Sequence, residues 1–168
     1  VGKTTTKDML RSCLEVQYQT WASESSFNNE IGVPLTILRA PEKTEFLVLE
    51  MGARGEGQIT SLCEMASPLI GVVTQVGIAH SEFFDGLEGV IRAKSELIES
   101  LPSNGLAVLN SDDENIRNMQ TKTSAKVLLF GSSGGDVIAE KVSLGEDLRP
   151  RFVIRSDWGS SEVTLATP

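Results

Sequence analysis

Short apolar runs that alternate with amphipathic segments are the feature that most restricts the fold of this chain. The apolar runs are continuous, as in strands covered on both faces: FLVLE (46–50), LIGVVTQV (69–76), LAVLN (106–110) and KVLLF (126–130), with VQYQTWA (16–22) as a further predicted strand. Helical periodicity marks the segments between them: 4–16, 57–66, 87–101 and 112–121. This alternation predicts an α/β fold with a mostly parallel sheet and helices on both faces.

The pattern changes after the stretch GSSGG (131–135). Three short alternating segments follow it: 136–144, 151–155 and 162–166. They predict a small antiparallel meander at the C-terminal end. We therefore divide the chain into a main α/β part, residues 1–131, and an antiparallel extension of the same domain, residues 132–168.

Composition limits the classes of partner. A net charge of −8 argues against nucleic acid or an anionic membrane surface. No apolar run reaches the length of a membrane span. Cys13 and Cys63 both lie in apolar helical patterns, which favours small core residues in a reducing compartment over a disulfide. We expect a cytoplasmic protein.

Polar residues stand at one predicted edge of the sheet, where open parallel sheets bind ligands. Glu50 follows one apolar strand, His80 lies in the loop after the next, and Asn110 ends a third. The segment GKTTT (2–6) precedes the first helix. A lysine, threonines, an acid and a histidine brought together there would suit a metal-bound phosphate.

Each of these residues also has a plainer interpretation. The letters GKTT match the last part of a phosphate-binding loop, but they also fit a threonine-capped helix with a surface lysine. Glu50 is either a metal- or water-positioning carboxylate or a solvated strand end. His80 is either a ligand or a structural loop residue. From the residues alone these alternatives stay open.

Lys94 is the most informative single residue. It lies on the apolar stripe of the predicted helix 87–101, which is formed by Leu87, Val90, Ile91, Leu97, Ile98 and Leu101. One interpretation is a packed stem whose amine reaches water. The other is a lysine held in a site, with its pKa lowered by desolvation so that the neutral amine can react.

Six segments in this order resemble the central ATP-binding domain of the Mur ligases, which form amide bonds in peptidoglycan synthesis. The segments are GKTTTK (2–7), FNNEIGVPLTIL (27–38), VLEMGARGEGQI (48–59), VVTQVGIAHSEFF (72–84), AKSELI (93–98) and GLAVLNSDDEN (105–115). Within the family they are most similar to the ligase type that adds D-alanyl-D-alanine to UDP-N-acetylmuramoyl-tripeptide. The resemblance implies a P-loop-type sheet and an ATP-dependent ligase that works through an acyl phosphate.

The resemblance also implies roles for the nucleotide-binding residues. ATP would be held by Gly2, Lys3, Thr4 and Thr5, with Lys3 neutralising the β- and γ-phosphates. Asn28 would contact the UDP-muramoyl substrate.

The resemblance further implies two Mg²⁺ ions. Their protein ligands would be Thr4, Glu50, His80 and Lys94, the last as a carbamate formed with CO₂. Lys3, Glu50, His80 and Lys94 would be the catalytic residues. Asn29 is implied as a second contact to the UDP-muramoyl substrate.

Residues 1–131 would then be part of the central domain, with the phosphate loop starting before Val1 and further N- and C-terminal domains in the same protein. We expect the chain alone to bind ATP–Mg²⁺ weakly and to lack ligase activity. Three other functions remain open: folylpolyglutamate synthase, the tripeptide-forming Mur ligase, and a non-catalytic nucleotide-binding α/β module.

Overall fold

The computed structural model describes residues 2–24, 27–77 and 84–166. Its helices are α1 (Lys3–Leu14), α2 (Gly32–Arg39), α3 (Gln58–Ala66), α4 (Gly86–Glu99) and α5 (Glu114–Asn118), the last continued by a 3₁₀ helix (Met119–Lys122). Its strands are β1 (Thr20–Ala22), β2 (Phe46–Val48), β3 (Ile70–Val73), β4 (Leu106–Asn110), β5 (Lys126–Gly131), β6 (Val137–Leu144), β7 (Pro150–Ser156) and β8 (Gly159–Thr164).

The strands form a parallel core with an antiparallel end. Strands β1 and β2 pair in parallel, with Thr20 opposite Phe46. The other six form one sheet in the order β3-β4-β5-β6-β7-β8. Pairing is parallel from β3 to β6 and antiparallel from β6 to β8. The predicted α/β class and the antiparallel C-terminal strands are therefore confirmed.

Helix α2 is absent from the sequence-based prediction. It is a short helix with Pro34 in its first turn, where a proline costs no intrahelical hydrogen bond. The side-chain oxygen of Asn29 accepts from the backbone N–H of Gly32 at 2.9 Å and so starts the helix. Gly32 must be a glycine, because a Cβ there would lie 2.6 Å from the Cα of Phe27.

Helix α1 does not bury the apolar residues of the predicted helical segment 4–16. Met9, Leu10 and Cys13 are exposed, whereas Lys7 is the buried residue of the helix. The interpretation of Cys13 as a core residue is therefore wrong. That of Cys63 is confirmed, since Cys63 is buried on α3.

Two hydrophobic clusters form the core of the described residues. One contains Val73, Ile98, Leu101, Ala107, Leu109, Ile116, Met119 and Ala125. The other contains Val33, Ile59, Leu62 and Cys63. Leu97 on α4 packs against both clusters, so α4 is fixed between them. No helix in the described part of the chain is long and apolar enough to cross a membrane.

Candidate active site

Glu50 lies two residues beyond the end of β2 and is only 5% exposed. Its Oε2 accepts from the hydroxyl of Thr4 at 2.7 Å, and its Oε1 accepts from the side-chain amide of Asn28 at 2.8 Å. Its backbone N–H donates to the Oγ of Ser23 at 3.2 Å. Two neutral donors from separate segments thus hold one buried carboxylate at the end of a strand.

The N-terminus of α1 lies at the same edge of the fold. Gly2 caps the helix in the left-handed conformation, with a φ of 78°, which favours glycine. A Cβ on Gly2 would lie 4.0 Å from the Oγ1 of Thr74, the residue after β3. The free backbone N–H groups of a helix N-terminus and its partial positive charge favour a bound phosphate. Lys3 and Thr4 occupy the first helical positions.

A close backbone contact with Gly52 holds Asn28 in place. Its carbonyl accepts from the backbone N–H of Gly52 at 2.8 Å. A Cβ on Gly52 would lie 3.1 Å from the side-chain amide carbon of Asn28, so the absence of a side chain there allows the close approach. The amide of Asn28 is therefore directed at Glu50, while the side chain of Asn29 starts α2. Their contact with a UDP-muramoyl substrate stays a prediction.

Lys94 lies on α4 and is partly buried. Burial lowers the pKa of Lys94, and the positive charge of Lys3 lowers it further, while Asp113 acts in the opposite direction. This direction is the one that the interpretation of Lys94 as a lysine held in a site predicts. Lys3 and Asp113 are thus each close enough to Lys94 to affect its charge.

Asp113 is a site residue that the sequence-based prediction did not single out. One of its carboxylate oxygens accepts from the backbone N–H of Val76 at 3.0 Å. The other caps α5 by accepting from the N–H of Asn115 at 3.0 Å. Its only signal in the sequence is its place in the polar segment SDDEN after β4. Asn110, which was expected at this edge, donates to the carbonyl of Thr74 at 2.9 Å.

Two contacts fix α4 against the segment that follows Glu50. Glu96 accepts from the backbone N–H of Gly57 at 2.6 Å and from that of Thr60 at 2.9 Å, so it caps α3 from a neighbouring helix. Arg92 forms an ion pair with Glu56 at 2.6 Å. These contacts flank Lys94 in sequence and set the position of its helix turn.

The predicted metal ligands fall into two groups. His80 lies outside the described residues, and Thr4, Glu50 and Lys94 lie within them. Among residues 2–24, 27–77 and 84–166, no group of three His, Cys, Asp or Glu side chains is arranged so that it could hold a metal ion. The predicted set differs in kind, because it combines a hydroxyl, one carboxylate and a modified lysine.

Glu50 nevertheless fits a cation. Its buried carboxylate is bonded to neutral donors, and no ion pair in the described part of the chain includes it. A buried charge of this kind is stabilised by a bound metal ion.

A family model that matches the whole chain shows the family to which it belongs. Residues 1–168 match the family model described as the Mur ligase middle domain. The chain belongs to the Mur ligase family. The resemblance drawn from the six sequence segments is therefore confirmed.

Several relatives of this Mur ligase domain carry the same activity name. The chain is 43% identical over 165 residues to the UDP-N-acetylmuramoyl-tripeptide–D-alanyl-D-alanine ligase of Mycobacterium bovis, covering 98% of this chain and 32% of that protein. It is 32% identical to MurF of Acinetobacter baumannii, with a TM-score of 0.92 over 98% of this chain and 36% of the other.

A MurF ligase of Thermotoga maritima, solved in complex with ADP, is 33% identical, with a TM-score of 0.88 over 97% of this chain and 38% of the other. The chain thus spans about a third of the length of the relatives it matches.

Proposed function

We propose that this chain is the ATP-binding part of a MurF-type ligase, which adds D-alanyl-D-alanine to UDP-N-acetylmuramoyl-tripeptide. The observation that carries the proposal is the contact of Thr4 and Asn28 with buried Glu50 beside the N-terminus of α1. The names of the relatives support this substrate pair over a folate or a tripeptide-forming reaction. Glu50 is buried and held by two side-chain donors, and Lys94 is partly buried beside the charges of Lys3 and Asp113. Such oriented polar groups favour an enzyme over a non-catalytic module.

The first turn of α1 binds the phosphates of ATP in this proposal. Gly2 keeps the backbone clear of a side chain, and the N–H groups of the turn donate to phosphate oxygens. Lys3 supplies a positive charge to the β- and γ-phosphates. Thr5, which is exposed on the same turn, would also contact the nucleotide in this proposal.

Thr4 and Glu50 would hold Mg²⁺, with His80 and a modified Lys94 completing two metal positions. The bound ions would neutralise the negative charge that develops on the transferring phosphoryl group. Glu50 contributes a carboxylate already oriented by Asn28.

Lys94 is suited to carbamylation. Its lowered pKa enlarges the fraction of neutral amine. The lone pair of that amine forms an N–C bond with CO₂, and one N–H proton is released to solvent. The product is an anion that offers two oxygens at the position of the former cation.

The proposed reaction has two covalent steps. The terminal carboxylate of the tripeptide attacks the γ-phosphorus of ATP, which forms an acyl phosphate and releases ADP. The amine of D-alanyl-D-alanine then attacks the acyl carbon, the C–O bond to phosphate breaks, and a proton leaves the new amide nitrogen. Lys3 remains beside the phosphoryl group in the first step, where its charge favours the transfer.

The substrate assignment is tested with the full-length protein. We expect UDP-N-acetylmuramoyl-tripeptide, D-alanyl-D-alanine and ATP–Mg²⁺ to yield the pentapeptide and one ADP per amide bond, measured by mass spectrometry and coupled ADP detection. Omission of D-alanyl-D-alanine is the control. Ligation of glutamate to a folate, or of a single amino acid to the UDP-dipeptide, in place of this product would contradict the proposal.

A further inference from the structure

Lys7 is the last residue of the GKTTTK segment, and the proposed reaction gives it no role. It is the buried residue of α1, with 6% exposure. Its ammonium donates to the backbone carbonyl of Ser23 at 2.8 Å and lies 3.1 Å from the carboxylate of Asp8. Because its side chain is only 5% exposed, Lys7 is not a packed stem with a solvated amine.

A buried ammonium is expensive unless it is well bonded. An apolar side chain of similar length would fill the same space without that desolvation cost. The position of the ammonium is therefore better explained by what it bonds than by packing.

Ser23, whose carbonyl accepts from Lys7, is hydrogen-bonded to the end of β2. It is 2% exposed. Its backbone N–H donates to the carbonyl of Val48 at 3.1 Å, and its Oγ accepts from the backbone N–H of Glu50 at 3.2 Å. Lys7 is thus connected to the backbone of Glu50 through a single residue.

Helix α1 has two attachments on one face, because Thr4 and Lys7 are three positions apart. Thr4 binds the side chain of Glu50, and Lys7 binds the residue that holds the Glu50 backbone. In the proposed mechanism Thr4 and Glu50 become metal ligands, so both side chains must adjust to the bound ion. The contact of Lys7 with Ser23 involves neither side chain and is unaffected by that change.

We propose that Lys7 is a positioning residue, which holds the phosphate-binding turn of α1 at a fixed place relative to Glu50 while Thr4 binds the metal. This inference rests on the proposed function. The described contacts of Lys7 with Ser23 and Asp8 act through the fold. Its effect is on the alignment of the bound phosphates with Glu50, and hence on the rate of phosphoryl transfer more than on ATP affinity.

The test compares Lys7→Met with Lys7→Arg and with the matched control Lys43→Met, an exposed lysine between α2 and β2. In the full-length protein, Lys7→Met should lower kcat about tenfold or more and change the KM for ATP less than about threefold. Lys7→Arg keeps a donor for the carbonyl and should retain more kcat than Lys7→Met. Lys43→Met should behave like the wild type.

A second readout needs no turnover. Hydrogen exchange in nucleotide-free protein, measured by mass spectrometry on peptides covering α1 and residues 46–52, should be several-fold faster in Lys7→Met and unchanged in Lys43→Met. If the wild type shows no ligase activity, the proposed function fails, while the exchange result still decides the role of Lys7. If Lys7→Met does not fold, Lys7→Gln, a neutral side chain one bond shorter, is measured in the same way.

A purely packing role gives the opposite pattern. Lys7→Met would then keep wild-type kcat and exchange at both segments, and it would exceed Lys7→Arg in activity and melting temperature. Either unchanged exchange or unchanged kcat in a folded Lys7→Met protein overturns the inference.

Discussion

Replacing Glu50 by glutamine separates the charge of this residue from its hydrogen bonds. In the structure Oε1 faces the amide donor of Asn28 and Oε2 faces the hydroxyl of Thr4. A glutamine can turn its oxygen towards Asn28 and its NH₂ towards Thr4, whose hydroxyl accepts as well as donates. Both hydrogen bonds are kept, and only the buried negative charge is lost.

The expected changes in stability and turnover follow from this replacement of Glu50 by glutamine. With both bonds kept, the free energy of unfolding of Glu50→Gln should stay within about 1 kcal/mol of the wild type. Turnover should fall about a hundredfold, equivalent to about 2.7 kcal/mol in the activation free energy, because the metal-binding charge is gone. Glu50→Ala loses both bonds and leaves the Asn28 amide unpaired, so it should also be destabilised by about 2 kcal/mol or more.

Thermal or urea unfolding and steady-state turnover over a Mg²⁺ titration measure these two effects in the full-length protein. Glu42→Gln, at an exposed position, is the matched control. If Glu50→Gln kept near wild-type turnover at limiting Mg²⁺, Glu50 would not be a metal ligand and its buried charge would need another explanation.

Three further predictions follow from the same contacts. Lys94→Ala should lose turnover and recover part of it with added acetate or formate, which can replace a carbamate; an active Lys94→Arg enzyme that is indifferent to bicarbonate depletion would contradict this. Glu96→Ala should lower the melting temperature, because it removes the cap of Gly57 and Thr60, whereas Glu99→Ala on the same helix should have a smaller effect. Hydrogen-bond donors from Ser133 and Ser132 lower the pKa of Asp112 to about 2. The stability that this carboxylate contributes is therefore present above pH about 4 and is lost as the pH falls towards 2. Acid unfolding of Asp112→Asn should lack that contribution.

Much of the fold could be predicted because its signals are local. A continuous apolar run such as LAVLN needs no knowledge of its neighbours, and β4 occupies the same residues, Leu106–Asn110. Helix α2 has weaker local signals, since Pro34 and β-branched residues disfavour a helix and the start depends on Asn29. The orientation of α1 is a tertiary property, so the helical pattern of residues 4–16 could not reveal that Lys7 is buried while Leu10 is exposed.

The candidate site was predictable only where residues follow strands directly. Glu50 follows the apolar run of β2, and the edge of a parallel sheet then predicts its place. Ser23 carries no such signal, because its role comes from contact with Val48 and Glu50 across the fold. Asp113 is likewise recognisable only once β3 and β4 are adjacent and Val76 is within reach.

The charges around Lys94 link its burial and its modification to metal binding. As an ammonium, Lys94 is disfavoured by burial and by Lys3, and only Asp113 favours its charge. Carbamylation would reverse both electrostatic signs, so that Lys3 attracts the group and Asp113 repels it. Asp113 also accepts backbone N–H bonds from Val76 and Asn115, so its carboxylate is held in place independently of Lys94. Lys3 would therefore stabilise the carbamate anion. The proposed Mg²⁺ would have to offset both the cost of burying that anion and its repulsion from Asp113. Modification of Lys94 and metal binding are thus mutually dependent.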